Sequence, residues 1–317
     1  MIVNSKPVCC LVLGLCVGPL VERAGSVEPP ITSIAFSPDG KTAVACSQVG
    51  VQVYSWPELK RHRTIKAGEV NLHDVAFSPD GNRLAVGGGT PTEKGSVEIF
   101  SWPAGKSLAV LNGPGNSVMG LAWLSESSLA AGSLDHSVLL WNTRTGSPIR
   151  RLEGHSRGVT SLCFLKKENI LVSSGIDRSL RVWRPGSGEL VHSLGIHTRR
   201  VHNLALRPGD GGLPMVASVS GDRTLRLWQP TIGRMVRFVR LRTRPLDVAW
   251  FPDGSRVVVA CTDGHVREVD PVTVKVTRDL PAVDGWAYSL AIHPTDRSVV
   301  VGGSGGQLRR IVPIAEK

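Results

Sequence analysis

His155, Ser173 and Asp177 are the residue types of a nucleophilic triad, in which histidine takes the serine proton and aspartate orients the imidazole. The same types return at His197, Ser218 and Asp222. In both sets the serine precedes the aspartate by 4 residues, and a tryptophan, Trp183 or Trp228, follows the aspartate by 6. A hydrolase needs one such centre. Two copies, each with a Trp partner, read instead as a structural device in which buried polar groups satisfy one another. No G-x-S-x-G elbow, Walker loop, H-E-x-x-H or EF-hand loop occurs in the chain. Gly302-Gly303-Ser304-Gly305-Gly306 has the look of a phosphate cradle, but it opens no helix and reads as a turn. The expectation is a protein that is not an enzyme and holds neither cofactor nor metal.

The elements that position these residues are set by composition and periodicity. The chain has 317 residues, 41% hydrophobic and 20% charged, which excludes a disordered chain and a polytopic membrane protein. That length fits two domains or one large β or α/β unit. With 35 Gly and 21 Pro but no G-X-Y period, it reads as a turn-rich globular fold and not as collagen. Its 37 basic and 26 acidic residues give a net charge of +11, which favours acidic partners or surfaces. Six cysteines, at positions 9, 10, 16, 46, 163 and 261, include no C-x-x-C, so neither a disulfide framework nor a zinc site is indicated.

Lys6 precedes an uncharged run from Val8 to Val21 that falls short of the roughly 20 apolar residues needed to span a bilayer. It is shaped like the apolar region of a signal peptide. No A-x-A site follows, Gly14-Leu15-Cys16 is a weak small-x-small match, and Leu13-Gly14-Leu15-Cys16 has leucine where a lipoprotein signal has a small residue. Residues 1–19 are therefore read as a signal peptide or as an apolar N-terminal segment. Export to the periplasm is favoured over the cytoplasm, with no membrane span.

A short apolar segment, often followed by a turn, recurs along the rest of the chain. Its closing large residues are Phe36, Phe77, Trp123, Phe164, Leu206, Trp250 and Ile292, at intervals of 41, 46, 41, 42, 44 and 42. A second series, Tyr54, Phe100, Trp141, Trp183, Trp228, Val269 and Ile311, keeps step at 46, 41, 42, 45, 41 and 42. Each unit reads as four short strands; in the fourth they are Val159 to Phe164, Ile170 to Ser173, Leu180 to Trp183 and Leu190 to Leu194. Ser37-Pro38-Asp39-Gly40 and Ser78-Pro79-Asp80-Gly81 suit type I turns, with Pro presetting φ and Gly relaxing the fourth position. A four-stranded sheet of this size cannot bury both faces alone, but sheets arranged radially cover one another, as propeller blades do.

The residues Gly154-His155, Ser173, Asp177 and Trp183, with Ile196-His197, Ser218, Asp222 and Trp228, make the chain resemble the WD-repeat (WD40) family. The resemblance covers residues 20–317 and is similar, more narrowly, to bacterial WD-repeat proteins of planctomycete type. It implies that His155, Ser173, Asp177 and Trp183, and likewise His197, Ser218, Asp222 and Trp228, form hydrogen-bonded tetrads inside their blades. It also implies a protein-interaction scaffold. The pattern decays elsewhere: unit three keeps Asp135 and Trp141 but has Ala131 for the serine and no histidine, and unit six keeps only Asp263. Units one, two and seven lack the aspartate, and the first two carry Tyr54-Ser55-Trp56-Pro57 and Phe100-Ser101-Trp102-Pro103.

The fold expected is all-β, a seven-bladed β-propeller closed by an N-terminal strand. Unit seven stops after its third strand, Leu308 to Val312, and the offset between strands places the missing one at about Leu20 to Ala24. That strand would remove an exposed edge. If first strands line the axis, Ser33, Asp74, Gly120, Ser161, Asn203, Asp247 and Ser289 form a channel ring, with His73 and His202 above it. A channel-centred hydrolase or metal-dependent enzyme using Asp74, His73, Asp247 and His202 is the alternative to a scaffold. The loops entering units four to six carry Arg157, Arg199, Arg200, Arg242 and Arg244, and by topology share a face with Arg178 and Arg223. That basic loop face is expected to bind an acidic protein partner, as a monomeric ring without a small-molecule substrate. Nucleic acid is not expected, since no reading module is present and few aromatics remain for stacking.

Overall fold

Each repeat folds as an up-and-down antiparallel sheet because its apolar runs are short and joined by turns too brief for a parallel crossover. The computed structural model describes residues 28–69, 71–209 and 213–312. Blade one comprises Ser33–Phe36, Thr42–Ser47, Gly50–Ser55 and Arg61–Ile65, paired in chain order. Five more four-stranded sheets follow, then a seventh whose described strands are Ala287–Ile292, Val299–Gly303 and Leu308–Ile311. The first strand of each blade touches the first strands of both neighbouring blades, and blade seven returns to blade one. The protein is an all-β, seven-bladed β-propeller; among the described residues its sole helical element is the single 3₁₀ turn Pro230–Ile232. In unit four the strands are Val159–Leu165, Ile170–Gly175, Leu180–Arg184 and Glu189–Leu194, within two residues of the sequence expectation at each end.

Second strands are buried on both faces, which is why they read as unbroken apolar runs. In Val257–Cys261, alternate residues serve different interfaces, as the period of two requires. Val257, Val259 and Cys261 pack with Ala217, Leu227 and Trp250 toward blade five. Val258 and Ala260 pack with Leu290, Val299 and Val301 toward blade seven. Fourth strands lie at the rim and turn polar, as in Arg61–Ile65, where only Ile65 is buried. Cys46, Cys163 and Cys261 are buried free thiols.

The Ser-Pro-Asp-Gly turns close as their residue types predict. Gly40 N donates to Ser37 O at 2.8 Å with φ of 70°, in the left-handed region that glycine tolerates best. Ser37 Oγ donates to Asp39 Oδ1 at 2.5 Å, tying the turn from within.

The ring closes where blade seven meets blade one. Ile31, Ile34, Ala43, Ala45 and Tyr54 pack against Val300, and Ile31 N donates to Gly303 O at 3.2 Å. Trp56 of the Ser-Trp-Pro sequence stacks on His293 of blade seven, with centroids 4.8 Å apart, while Arg310 sits over its ring and its Nε1 donates to Asp296 Oδ2 at 3.0 Å. His293 Nε2 donates in turn to Gly40 O at 2.9 Å. The expected closing strand at residues 20–24 lies outside the described residues.

Candidate functional site

The two His-Ser-Asp-Trp sets form chains of directed hydrogen bonds. Burial alone would raise the carboxyl of Asp177, but hydrogen bonds from His155 and Ser179 outweigh it and hold it well below the usual carboxylate range. The carboxylate therefore accepts from His155 Nδ1 at 2.9 Å, which leaves Nε2 to accept from Ser173 Oγ at 2.8 Å. Ser173 Oγ accepts in turn from Trp183 Nε1 at 2.8 Å. In blade five, His197 meets Asp222 at 2.8 Å and Ser218 at 2.7 Å, and Trp228 Nε1 meets Ser218 at 2.8 Å. Ser173 and Ser218 are each 0% exposed, so neither hydroxyl can reach a substrate.

Blades three and six answer the same positions differently. In blade three Ala131 replaces the serine, and the buried Nε1 of Trp141 has no hydrogen-bond partner. Asp135 instead takes Gly115 N at 2.8 Å and Arg151 Nη1 at 3.2 Å. In blade six Arg267, 4% exposed, pairs with Asp263 at 2.6 Å and Asp279 at 3.0 Å. Burial would raise Asp263, but Arg267 outweighs it and brings the carboxyl to about 2.

Around the axis the expected ring residues join blade to blade. Ser33 Oγ donates to Asp74 Oδ1 at 2.8 Å, and Asp74 Oδ2 accepts from Leu121 N of blade three at 2.8 Å. Asp247 accepts from Val248 N and, across the junction, from Leu290 N, both at 2.7 Å. Ser161 Oγ donates to Asn203 Oδ1, and Asn203 Nδ2 donates to Asp247 Oδ1. Ser289 Oγ donates to Ile31 O at 3.1 Å. Gly120 fits the one junction too tight for a side chain: a Cβ there would lie 2.8 Å from Ser161 Cα. Burial pushes both Asp74 and Asp247 up to about 6 despite these bonds. His202 is pushed down to about 4 by burial, then by Arg200 and Arg244, and burial also lowers His73. Among the described residues no three His, Cys, Asp or Glu side chains come together as a metal site.

The seven arginines of the loop face are all exposed. Five of them, Arg157, Arg178, Arg199, Arg200 and Arg244, line one basin of about 880 Å³. Arg223 and Arg242 are outside its lining. None of the seven forms an ion pair among the described residues, whereas Arg151, Arg184, Arg267, Arg297 and Arg310 each hold a carboxylate. Arg178 and Arg223 hold φ of 71° and 65° at turn positions where blade six has Gly264 at 76°. A side chain there costs about 1 kcal/mol of backbone strain relative to glycine.

One basin residue escaped the sequence reading. Trp286, 45% exposed, lines the basin and lies 5.6 Å from Tyr288, ring to ring. The signal was present: counting back three from the ring residues gives Arg200, Arg244 and Trp286 in blades five, six and seven, so this tryptophan holds an arginine position and not an anchor position.

The fold and these tetrads define a WD-type propeller. The family pattern described as WD domain, G-beta repeat matches residues 20–48, 105–142, 146–184, 188–229 and 242–270, more than half of the chain, and the protein belongs to this family. It is 30% identical over 156 residues to WD repeat-containing protein SL1-17 of Schistosoma mansoni, covering 48% of each chain. It is 30% identical over 125 residues to cell division cycle protein cdt2 of Schizosaccharomyces pombe, covering 36% of this chain and 25% of the relative. With CCR4-associated factor 4 of Saccharomyces cerevisiae it shares 45% identity over 56 residues, covering 18% of this chain and 9% of the relative. The chain spans about half or less of the length of these relatives. They support the family, and do not support the narrower planctomycete resemblance. Among the described residues no helix is long and apolar enough to cross a membrane.

Proposed function

We propose that this propeller is a non-enzymatic scaffold, a monomeric ring whose basic loop face docks an acidic segment of a partner protein. WD-repeat proteins act generally as protein-interaction scaffolds, which supplies the class. The observation that carries the finer reading is the convergence of Arg157, Arg178, Arg199, Arg200 and Arg244 on one basin without an internal ion pair. Other arginines of the chain, Arg151, Arg184, Arg267, Arg297 and Arg310 among them, each hold a carboxylate. Unpaired positive charge facing one concavity raises the local concentration of anionic groups and orients their approach.

The test is affinity capture from native cell extract with the wild type and a variant carrying Arg199→Glu, Arg200→Glu, Arg242→Glu and Arg244→Glu. The variant is expected to keep the wild-type melting temperature, since exposed charges contribute roughly 0–1 kcal/mol per pair, and to lose the captured partner. Wild-type capture should weaken as salt rises to physiological strength, where the Debye length falls to about 8 Å. Asp39→Lys and Asp80→Lys, in turns at the other end of the blades, serve as controls. Equal capture by the charge-reversed protein, or larger losses in the turn variants, would place recognition elsewhere.

A further inference from the structure

Beneath the basin lies a second, narrower cavity of about 350 Å³ at the mouth of the channel. The two share Ile176, Arg200, His202 and Leu246, so the wide basic basin opens into a well. The polar groups of that well fall into two sets. Asp74, Asp247, Thr32 and Thr160 are committed to the ring: the carboxylates take backbone N–H groups of the next blade, while Thr32 Oγ1 donates to Leu72 O at 2.7 Å and Thr160 Oγ1 to Val201 O at 2.8 Å. The imidazole of His73 and the hydroxyl of Tyr288 line the well with no hydrogen-bond partner among the described residues. His202 Nδ1 accepts from Arg200 Nη2 at 3.3 Å, which leaves its Nε2–H to donate. Between these groups the wall is apolar, built from Met119, Leu134, Ile176 and Leu246. An ordered water is held by about three hydrogen bonds, and this stretch of wall offers none.

Charge orients an occupant. The floor carries the carboxyls of Asp74 and Asp247, which repel an anion, while the rim carries Arg200 and, in the basin, Arg244. We propose that the well binds an apolar group carried beside a carboxylate, with the apolar body against Leu134, Ile176 and Leu246 and the carboxylate at the rim on Arg200. The volume lies at the small end of ligand sites and suits one aromatic or branched body. Such a group comes either as a free organic acid or as an aromatic side chain within an acidic segment. This site extends the docking reading and does not rest on it, since a free acid would fill the well whether or not a protein occupies the basin.

The experiment titrates the full chain with anilinonaphthalene sulfonate, an apolar fluorophore bearing one anion. We expect saturable binding at one site, displaced by phenylbutanoate. Leu246→Trp, which fills the well, and Arg200→Gln, which removes the rim cation, should each weaken the dye about tenfold or more at unchanged melting temperature. Met119→Phe gives the same reading if the Leu246 variant melts early. Wild-type dye affinity in the folded variants, or no displacement by phenylbutanoate, overturns the proposal. A capped Glu-Glu-Phe-Glu-Glu peptide separates the sources. If it displaces the dye from wild type but not from Arg157→Glu/Arg199→Glu, the group belongs to a protein segment; displacement by phenylbutanoate alone assigns a free acid. Extract capture is read separately, so the docking face and the well can each fail alone.

Discussion

Replacing Ser173 with alanine isolates what the tetrad contributes. The hydroxyl is the link between two buried groups, accepting from Trp183 Nε1 and donating to His155 Nε2, both at 2.8 Å. Alanine fits the space and leaves both without a partner. Each buried polar group left unsatisfied costs about 1–3 kcal/mol, so Ser173→Ala should cost about 2–4 kcal/mol, less than the sum of two upper limits because water relieves part of the loss. For a chain of this length that is a fall in melting temperature of about 4–8 °C, from the trend for domains somewhat smaller. Blade three supplies the reverse experiment. Ala131 occupies the serine position and Trp141 Nε1 is already an orphan, so Ala131→Ser gives that indole an acceptor. Pro114 stands where blade four has His155, so the new hydroxyl finds no imidazole, and the net change should stay within about 1 kcal/mol of wild type. The assay is thermal melting of both variants by circular dichroism. If Ser173→Ala melts with the wild type, or costs no more than Ala131→Ser, the hydrogen-bonded chain does not stabilise its blade and the tetrad reading fails.

Stability should change with pH in two opposite senses. Asp74 and Asp247 are pushed up to about 6 by burial, above the unfolded value of about 3.9, so the native state holds protons that the unfolded state has released, and their contribution to stability falls as pH rises from about 4 to about 6, while that of His202, pushed down to about 4, rises over the same range. Asp177 and Asp222 are held below the unfolded value, so their contribution is present above about pH 4 and is lost as pH falls further. Urea midpoints should fall below about pH 4, and between about pH 4 and pH 6 those of Asp247→Asn should rise relative to wild type; identical slopes for the two proteins in the upper range would contradict the assignment. The closing strand is tested by truncation. The family pattern begins at residue 20, and its matches from 105, 146 and 188 each begin just before a fourth strand, Ser107–Asn112, Pro148–Leu152 and Glu189–Leu194. Removing residues 1–16 should leave the melting temperature unchanged and removing 1–26 should lower it, whereas equal values would reject a strand at residues 20–24.

The blade count, the strand limits in unit four and the residues that meet in the two tetrads were legible because they recur. Each depends on contacts inside one repeat, and a repeated contact leaves a repeated residue at a fixed spacing, as with Asp177 and Trp183, then Asp222 and Trp228. The Ser-Pro-Asp-Gly turns were legible for a related reason, since their conformation is set by the residues of the turn itself.

What occurs once was closed to that reasoning. Trp56 read as a departure from the pattern, and only the ring shows it stacked on His293, 237 residues away in sequence, at the single junction where the chain's last blade meets its first. Arg267 takes over the carboxylate of blade six from a strand position that elsewhere has a different task. Asp74 and Asp247 looked available for chemistry, yet each carboxylate is engaged by one backbone N–H of the next blade, Leu121 or Leu290. Trp286 stands outside both anchor series and is a basin residue by its place. The physical reason is common to all four. A repeat encodes how a blade folds upon itself, but the partner of a group that points toward a neighbour is set by the radial arrangement, which brings together residues whose spacing in sequence carries no trace of their contact.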